Sequence, residues 1–206
     1  MKLLRMKYTK WFQTLKNGIS GQNPILISVL GICSALAVTN QVENAIAMGL
    51  GVTFVVIASS STVSLIRNFV PSKIRMVAYM VIISAYVILV QMFLEGFFPT
   101  IAKNLSAYVG LIITNCIVMG RAEAYAIKNP VKYTFIDGFA NGMGYTLVLI
   151  VVASIREILG FGTWLGLPVM PGSWINWVVL SIAPGGFFII GLLAWGLRSL
   201  TKTYEE

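Results

Sequence analysis

The sequence predicts an all-α integral membrane protein of six transmembrane helices. Three observations carry that prediction: a shortage of charge, a series of apolar runs near membrane length, and the placement of Lys and Arg between those runs. The 206 residues are 57% hydrophobic and 11% charged, with a mean hydropathy of +0.84. A soluble domain carries about a quarter charged residues, so this chain has too little polar side chain to coat a water-facing surface. None of its polar segments is large enough to form a separate soluble domain, and 1–206 reads as one membrane domain.

The chain opens with a basic stretch, 1–22, holding Lys2, Arg5, Lys7, Lys10 and Lys16. Leu4, Tyr8, Trp11, Leu15 and Ile19 recur there at helical spacing, as in a helix lying on a membrane surface; a basic topogenic tail explains the same residues. The basic stretch is too long for a removable signal, and the apolar run after it lacks a small-residue cleavage site before the next span. Apolar runs follow at Pro24–Thr39, Ala45–Ile66, Ile74–Phe98, Leu105–Gly120, Phe135–Ile158 and Trp177–Leu200. Crossing the hydrocarbon takes about 20 helical residues; the first and fourth runs fall short of that, and the other four reach it. Pro71, Pro99, Pro130, Pro168 and Pro171 lie in the connections, where helix breakers belong. The Gly162–Gly172 connection, rich in Gly and Pro, carries no charge.

Placing the N-terminus in the cytoplasm puts thirteen of the fifteen Lys and Arg inside and leaves only Lys103 and Arg156 outside. That asymmetry predicts six crossings with both termini cytoplasmic. The net charge of +8 therefore sets orientation, and no nucleic-acid partner is expected. The absence of His removes the commonest metal ligand and general base.

The two short runs occupy matching places, each opening a set of three. Gly49-Leu50-Gly51-Val52-Thr53 in the second span echoes Gly142-Met143-Gly144-Tyr145-Thr146 in the fifth, and Ser64-Leu65-Ile66-Arg67 echoes Ser154-Ile155-Arg156. Three crossings reverse the side of the membrane, so a second copy must run inverted. The expected architecture is two inverted three-helix repeats, at 23–98 and 104–200, with the first and fourth segments short or broken. Such segments in matching positions of two halves point to a site near the midplane.

Each short run holds one of the two cysteines: Cys33 in "LGICSALAVT" and Cys116 in "LIITNCIVMG". Gly31, Thr114 and Asn115 beside them are poor choices for a lipid-facing helix and fit backbone exposed to a cofactor or packed on protein. One Cys in a membrane helix is ordinarily an apolar filler. Two in equivalent broken segments, with no others in the chain, suggest a shared metal site. Thiolates suit soft metals and iron–sulfur clusters, and a cluster takes four ligands. The chain would then hold half a site, completed by a partner subunit or a second copy.

These stretches, with "VGLIITNCIVMGRAEA" (Val109–Ala124), "FIDGFANGMGY" (Phe135–Tyr145) and "IAPGGFFIIGLLAW" (Ile182–Trp195), resemble the NqrD/RnfE family of membrane subunits. That family serves the sodium-translocating NADH:quinone oxidoreductases and the related Rnf complexes, and the likeness runs from Asn23 to Leu200. Ser34 follows the first Cys where Rnf members more often have Pro, which favours the sodium-translocating branch. The resemblance implies a bacterial inner-membrane subunit beside an NqrE-like sister of opposite orientation and the remaining Nqr subunits. It also implies a [2Fe–2S] cluster shared by the pair, with Cys33 and Cys116 as two ligands. FMN, FAD and NADH would lie only on other subunits, and no dinucleotide fingerprint follows a strand here.

The acidic residues near the membrane are Glu43, Glu95, Asp137 and Glu157. All fall near span ends, where solvation or pairing is the ordinary outcome. Asp137 and Glu95 are the ion-pathway candidates. Asp137 begins the fifth span inside a matched motif; Glu95 lies one turn beyond Gln91, which stands where the family often has Asp. Arg121 and Glu123 in "GRAEA" would pair with each other or with a neighbour, and the Ser59-Ser60-Ser61-Thr62 run marks tight helix packing. A non-redox inverted-repeat transporter or channel is the competing class, in which the cysteines are incidental.

Overall fold

A computed structural model describes residues 25, 28–97, 110–165, 167–168 and 178–201. The basic N-terminal stretch, Lys103, and most of the connection before the last span lie outside the described residues. In chain order the helices are α1 (Ile32–Val38), α2 (Val42–Ile66), α3 (Arg75–Phe97), α4 (Cys116–Arg121), α5 (Val131–Phe161), α6 (Val178–Ser181) and α7 (Ala183–Thr201). A short 3-10 turn, Ser72–Ile74, leads into α3; α4 widens into a π turn over Ala122–Ala126. After α5 a two-residue antiparallel ladder pairs Thr163–Trp164 with Leu167–Pro168.

Three of these helices, α2, α3 and α5, are long and apolar enough to cross a membrane. Pro130, at φ −69° and lacking an N–H, stands just ahead of α5, where neither property costs the helix anything. Gly162, at φ 69°, ends α5 in the left-handed conformation that stops a helix and that glycine adopts without strain.

The last apolar run, expected as one span, is two pieces. Ser181 closes α6, Ile182 is non-helical, and Pro184 lies in the first turn of α7. A proline ring clashes with the carbonyl four residues back, so the chain cannot run straight through. The restart needs glycine: a Cβ on Gly185 would collide with the Val179 carbonyl oxygen.

The core is the antiparallel pair α2 and α5. The backbone N–H of Val42, at the start of α2, donates to Glu157 near the end of α5 (2.8 Å). Ser64, near the end of α2, donates to the carbonyl of Asn129, just before α5 (2.8 Å). Between those ends the helices touch through reciprocal Gly–Thr contacts. A Cβ on Gly49 would come within 2.6 Å of the Thr146 side chain, and one on Gly142 within 2.7 Å of Thr53. Each threonine hydroxyl donates to the glycine carbonyl one turn back, and the two hydroxyl oxygens face each other at 3.2 Å. Small residues let membrane helices approach this closely. Helix α3 lies at the edge, with Tyr79, Ile83 and Val87 turned inward and most of its other side chains exposed or half-buried.

Candidate half-site at two helix breaks

Both cysteines sit where a helix starts. The approach to Cys33 turns through Val29 (φ 58°) and Gly31 (φ 82°) before α1 begins. A β-branched residue at positive φ is strained, and such strain gathers at functional sites. Cys116 opens α4 after a helical turn at 110–113 and a break at Thr114 and Asn115. The Asn115 side chain caps α4 by accepting the Ile117 N–H (3.2 Å). Gly31 and Asn115, unsuited to a lipid-facing helix in the sequence, are thus the residues that stand at the two breaks.

The breaks meet. Asn115 donates to the hydroxyl of Ser34 (3.1 Å), Ser34 donates to the Gly31 carbonyl (2.9 Å), and its oxygen lies 2.6 Å from the Tyr145 hydroxyl. Asn115, Ser34 and Tyr145 are all buried, whereas Cys33 and Cys116, each beside one of them in sequence, are free thiols exposed at the chain's own surface. A side chain at Gly31 would press on the Tyr145 ring at 3.0 Å and on Asn115 at 3.4 Å. Buried polar groups are costly unless paired, and this run of hydrogen bonds fixes one broken segment against the other through α5.

Among the described residues, no three His, Cys, Asp or Glu side chains stand close enough to hold a metal ion. Cys33 and Cys116, two exposed thiols with hydrogen-bonded segments behind them, could supply two of the four ligands that a cluster takes. A groove of ≈ 700 Å³ lies elsewhere, between α2 and α3, walled by residues such as Ile46, Phe54 and Phe93; among the described residues on its walls Glu43 is the one charge and none is a cysteine.

The acidic candidates fall in different settings. Asp137 is buried and carries a two-pronged salt bridge from Arg121, with Nε donating to Oδ2 at 2.8 Å and Nη2 to Oδ1; Asn141 adds a donor at 3.1 Å. The Arg121 guanidinium also lies over the Tyr125 ring at 5.3 Å. Glu123 turns to Arg75 (3.9 Å), so each member of the "GRAEA" pair binds a neighbouring helix. Glu95 is exposed on α3 and accepts a bond from Gln91 (2.9 Å). In the serine run, Ser59 and Thr62 bond back to carbonyls one turn away, and Thr62 also meets the Tyr86 hydroxyl.

Two residues expected among the end charges are buried instead. Glu157 accepts the Val42 N–H and closes the start of α2. Arg156, 1% exposed, donates to the Leu36 carbonyl (3.0 Å), the Thr39 hydroxyl (2.6 Å) and the Leu180 carbonyl (3.1 Å). Both lie within the apolar run rather than beyond it, and that position was the available signal. Ser34 and Tyr145 had no comparable signal, because their contact spans 111 residues of sequence.

Apolar helices long enough to cross a membrane, packed through small residues and with cysteine-bearing breaks among them, define a helical membrane protein. The chain matches the family described as "Rnf-Nqr subunit, membrane protein" over residues 11–194, and it belongs to that family. The D-type subunit of a Na(+)-translocating NADH-quinone reductase from Aeromonas hydrophila is 50% identical over 186 residues, covering 88% of this chain and 89% of the relative. Subunits of the same description from Yersinia enterocolitica and Yersinia pestis are 51% and 48% identical over 190 and 200 residues. They cover 89% and 94% of this chain, and 90% and 95% of their own lengths.

Proposed function

We propose that the chain is a membrane subunit of a Na+-translocating NADH:quinone oxidoreductase that holds half of a [2Fe–2S] cluster through Cys33 and Cys116. One observation carries the reading: two broken segments, each with an exposed cysteine, are fastened together through Ser34, Asn115 and Tyr145. A cluster of this kind takes four protein ligands, so an NqrE-like sister subunit supplies the other pair. When bound, the cluster provides a one-electron relay within the membrane. The chain's own part is to hold two thiolates at a set spacing and to keep water away from their buried side. NADH, FMN and FAD are left to other subunits.

The fold, on the same reading, is six spans in two inverted repeats. The antiparallel α2–α5 pair and its reciprocal Gly49–Thr146 and Gly142–Thr53 contacts support it. The basic residues around the end of α2 and the start of α5 suit the cytoplasmic face of a bacterial inner membrane, with both termini on that side. Asp137 then stands toward the inner face and Glu95 toward the outer, as entry and exit candidates for the ion.

Electron paramagnetic resonance of the reduced, purified complex tests the half-site, comparing wild type with Cys116→Ala. The expected result is loss of one [2Fe–2S] signal from a complex that still assembles. Survival of every iron–sulfur signal would leave Cys116 a packing residue and bring the transporter reading forward.

A further inference from the structure

The arginines that end the second and fifth spans reach across the molecule in the same way. Arg156, near the end of α5, donates through Nη1 to the Leu36 carbonyl and the Thr39 hydroxyl, at the far end of the segment that carries Cys33. Arg67, just past α2, donates through Nη1 to the Ile127 carbonyl (3.4 Å), where the segment carrying Cys116 ends; Ser64 takes the Asn129 carbonyl beside it. Each cysteine segment is therefore tied down by the long helix of the other half of the chain.

Arg156 is the more deeply committed of the two. The last carbonyls of a helix have no partner within it, and Leu36 lies in the closing turn of the seven-residue α1. The same guanidinium also serves the break between α6 and α7, with Nε donating to the Leu180 carbonyl and Nη2 to the Ile182 carbonyl (3.4 Å). Gly186 leaves room for this junction: a Cβ there would stand 2.7 Å from the Leu36 side chain and 3.4 Å from the Arg156 guanidinium. A planar fork of donors can join two broken backbones where the point charge of a lysine reaches only one.

We propose that Arg156 is a positioning residue for the electron relay: it locks the Cys33 segment against the break in the last span and so sets the geometry that Cys33 presents to iron. The inference rests on the half-site reading above. Groups hydrogen-bonded to a metal ligand change metal affinity by about 10–100-fold when removed; Arg156 stands one step further out, bonded to Leu36 and Thr39 of the Cys33 segment, so the low end of that range applies.

The test uses the whole purified complex, with Arg156→Gln, Arg156→Lys and Thr39→Ala compared with wild type and Cys116→Ala. Expected in Arg156→Gln are altered line positions of one [2Fe–2S] signal and roughly tenfold easier loss of its iron to a chelator. Arg156→Lys and Thr39→Ala should show smaller shifts in the same direction, and they carry the test if the glutamine variant fails to assemble. A purely structural role predicts lower yield or melting temperature with wild-type line positions, and that result overturns the clamp. If Cys116→Ala removes the signal while the lines of the Arg156 and Thr39 variants stay put, the clamp alone falls. If Cys116→Ala removes nothing, the half-site falls and takes the clamp with it.

Discussion

Asp137 and Arg121 form the charged pair most exposed to a simple energetic argument. The carboxylate is buried, and both its oxygens receive donors: Nε and Nη2 from Arg121, and the amide of Asn141. Removing one partner of a buried pair leaves the other charge uncompensated, which costs about 3–5 kcal/mol. Arg121 keeps a partial route to water, with 19% of its side chain exposed, which favours the low end of that range. Asp137→Asn should therefore lower the thermal stability of the complex, and Arg121→Gln in the same chain should recover most of the loss. If Asp137 also takes part in ion entry, the asparagine variant needs more sodium for half-maximal quinone reduction. An unchanged sodium response would make the pair purely structural. The sequence marked Asp137 through its motif and its place at the start of a span. It did not show the partner, because Arg121 belongs to the preceding broken segment and its direction depends on where that break falls.

At the scale of elements, the crossing of α2 and α5 governs the rest. It is a contact of Gly49 and Gly142 with the threonines of the opposite helix, so added bulk acts directly on the interhelical distance. Forcing one methyl into a packed contact costs about 1–3 kcal/mol. Gly142→Ala should lower the melting temperature of the complex, and Thr53→Ala alongside it should return part of the loss by removing the methyl and hydroxyl that the new Cβ would meet. If Gly142→Ala melts like wild type, the helices are not held apart by this contact. The long helices were legible because hydropathy reports what lipid can tolerate, and the Gly–Thr echo was legible because it repeats. The break in the last span was not: Leu180, Ile182 and Phe187 are apolar on both sides of it, and hydropathy does not register backbone direction. Pro184-Gly185-Gly186 was the visible trace. The segments around Cys33 and Cys116 were legible as broken through the shortness of their runs and through Gly31, Thr114 and Asn115, poor choices for a lipid-facing helix; that Asn115 caps the restart was not.

For the whole molecule, the antiparallel core converts a pattern of charge into a prediction of sidedness. The end of α2 and the start of α5 lie together, which brings Arg67, Lys73 and Arg75 to the same face as Arg121, Lys128 and Lys132. The opposite face carries the start of α2, the end of α5 and the small ladder with the exposed Trp164. Arg156, which looked like an exception to the charge rule, is satisfied inside the protein and so has little say in orientation. The six basic residues gathered at the first face then point one way, since Lys and Arg near span ends are retained in the cytoplasm. Lys128→Cys should react with a membrane-impermeant maleimide only in inverted vesicles, and Trp164→Cys only in right-side-out vesicles. Neither Lys128 nor Trp164 takes part in the Ser34–Asn115–Tyr145 contacts, so on the half-site proposal the complex keeps its iron–sulfur signals in each variant. Labelling of both positions from one side would mean that α5 does not cross the membrane. Labelling with the sides exchanged would reverse the orientation, placing Asp137 at the outer face and Glu95 at the inner.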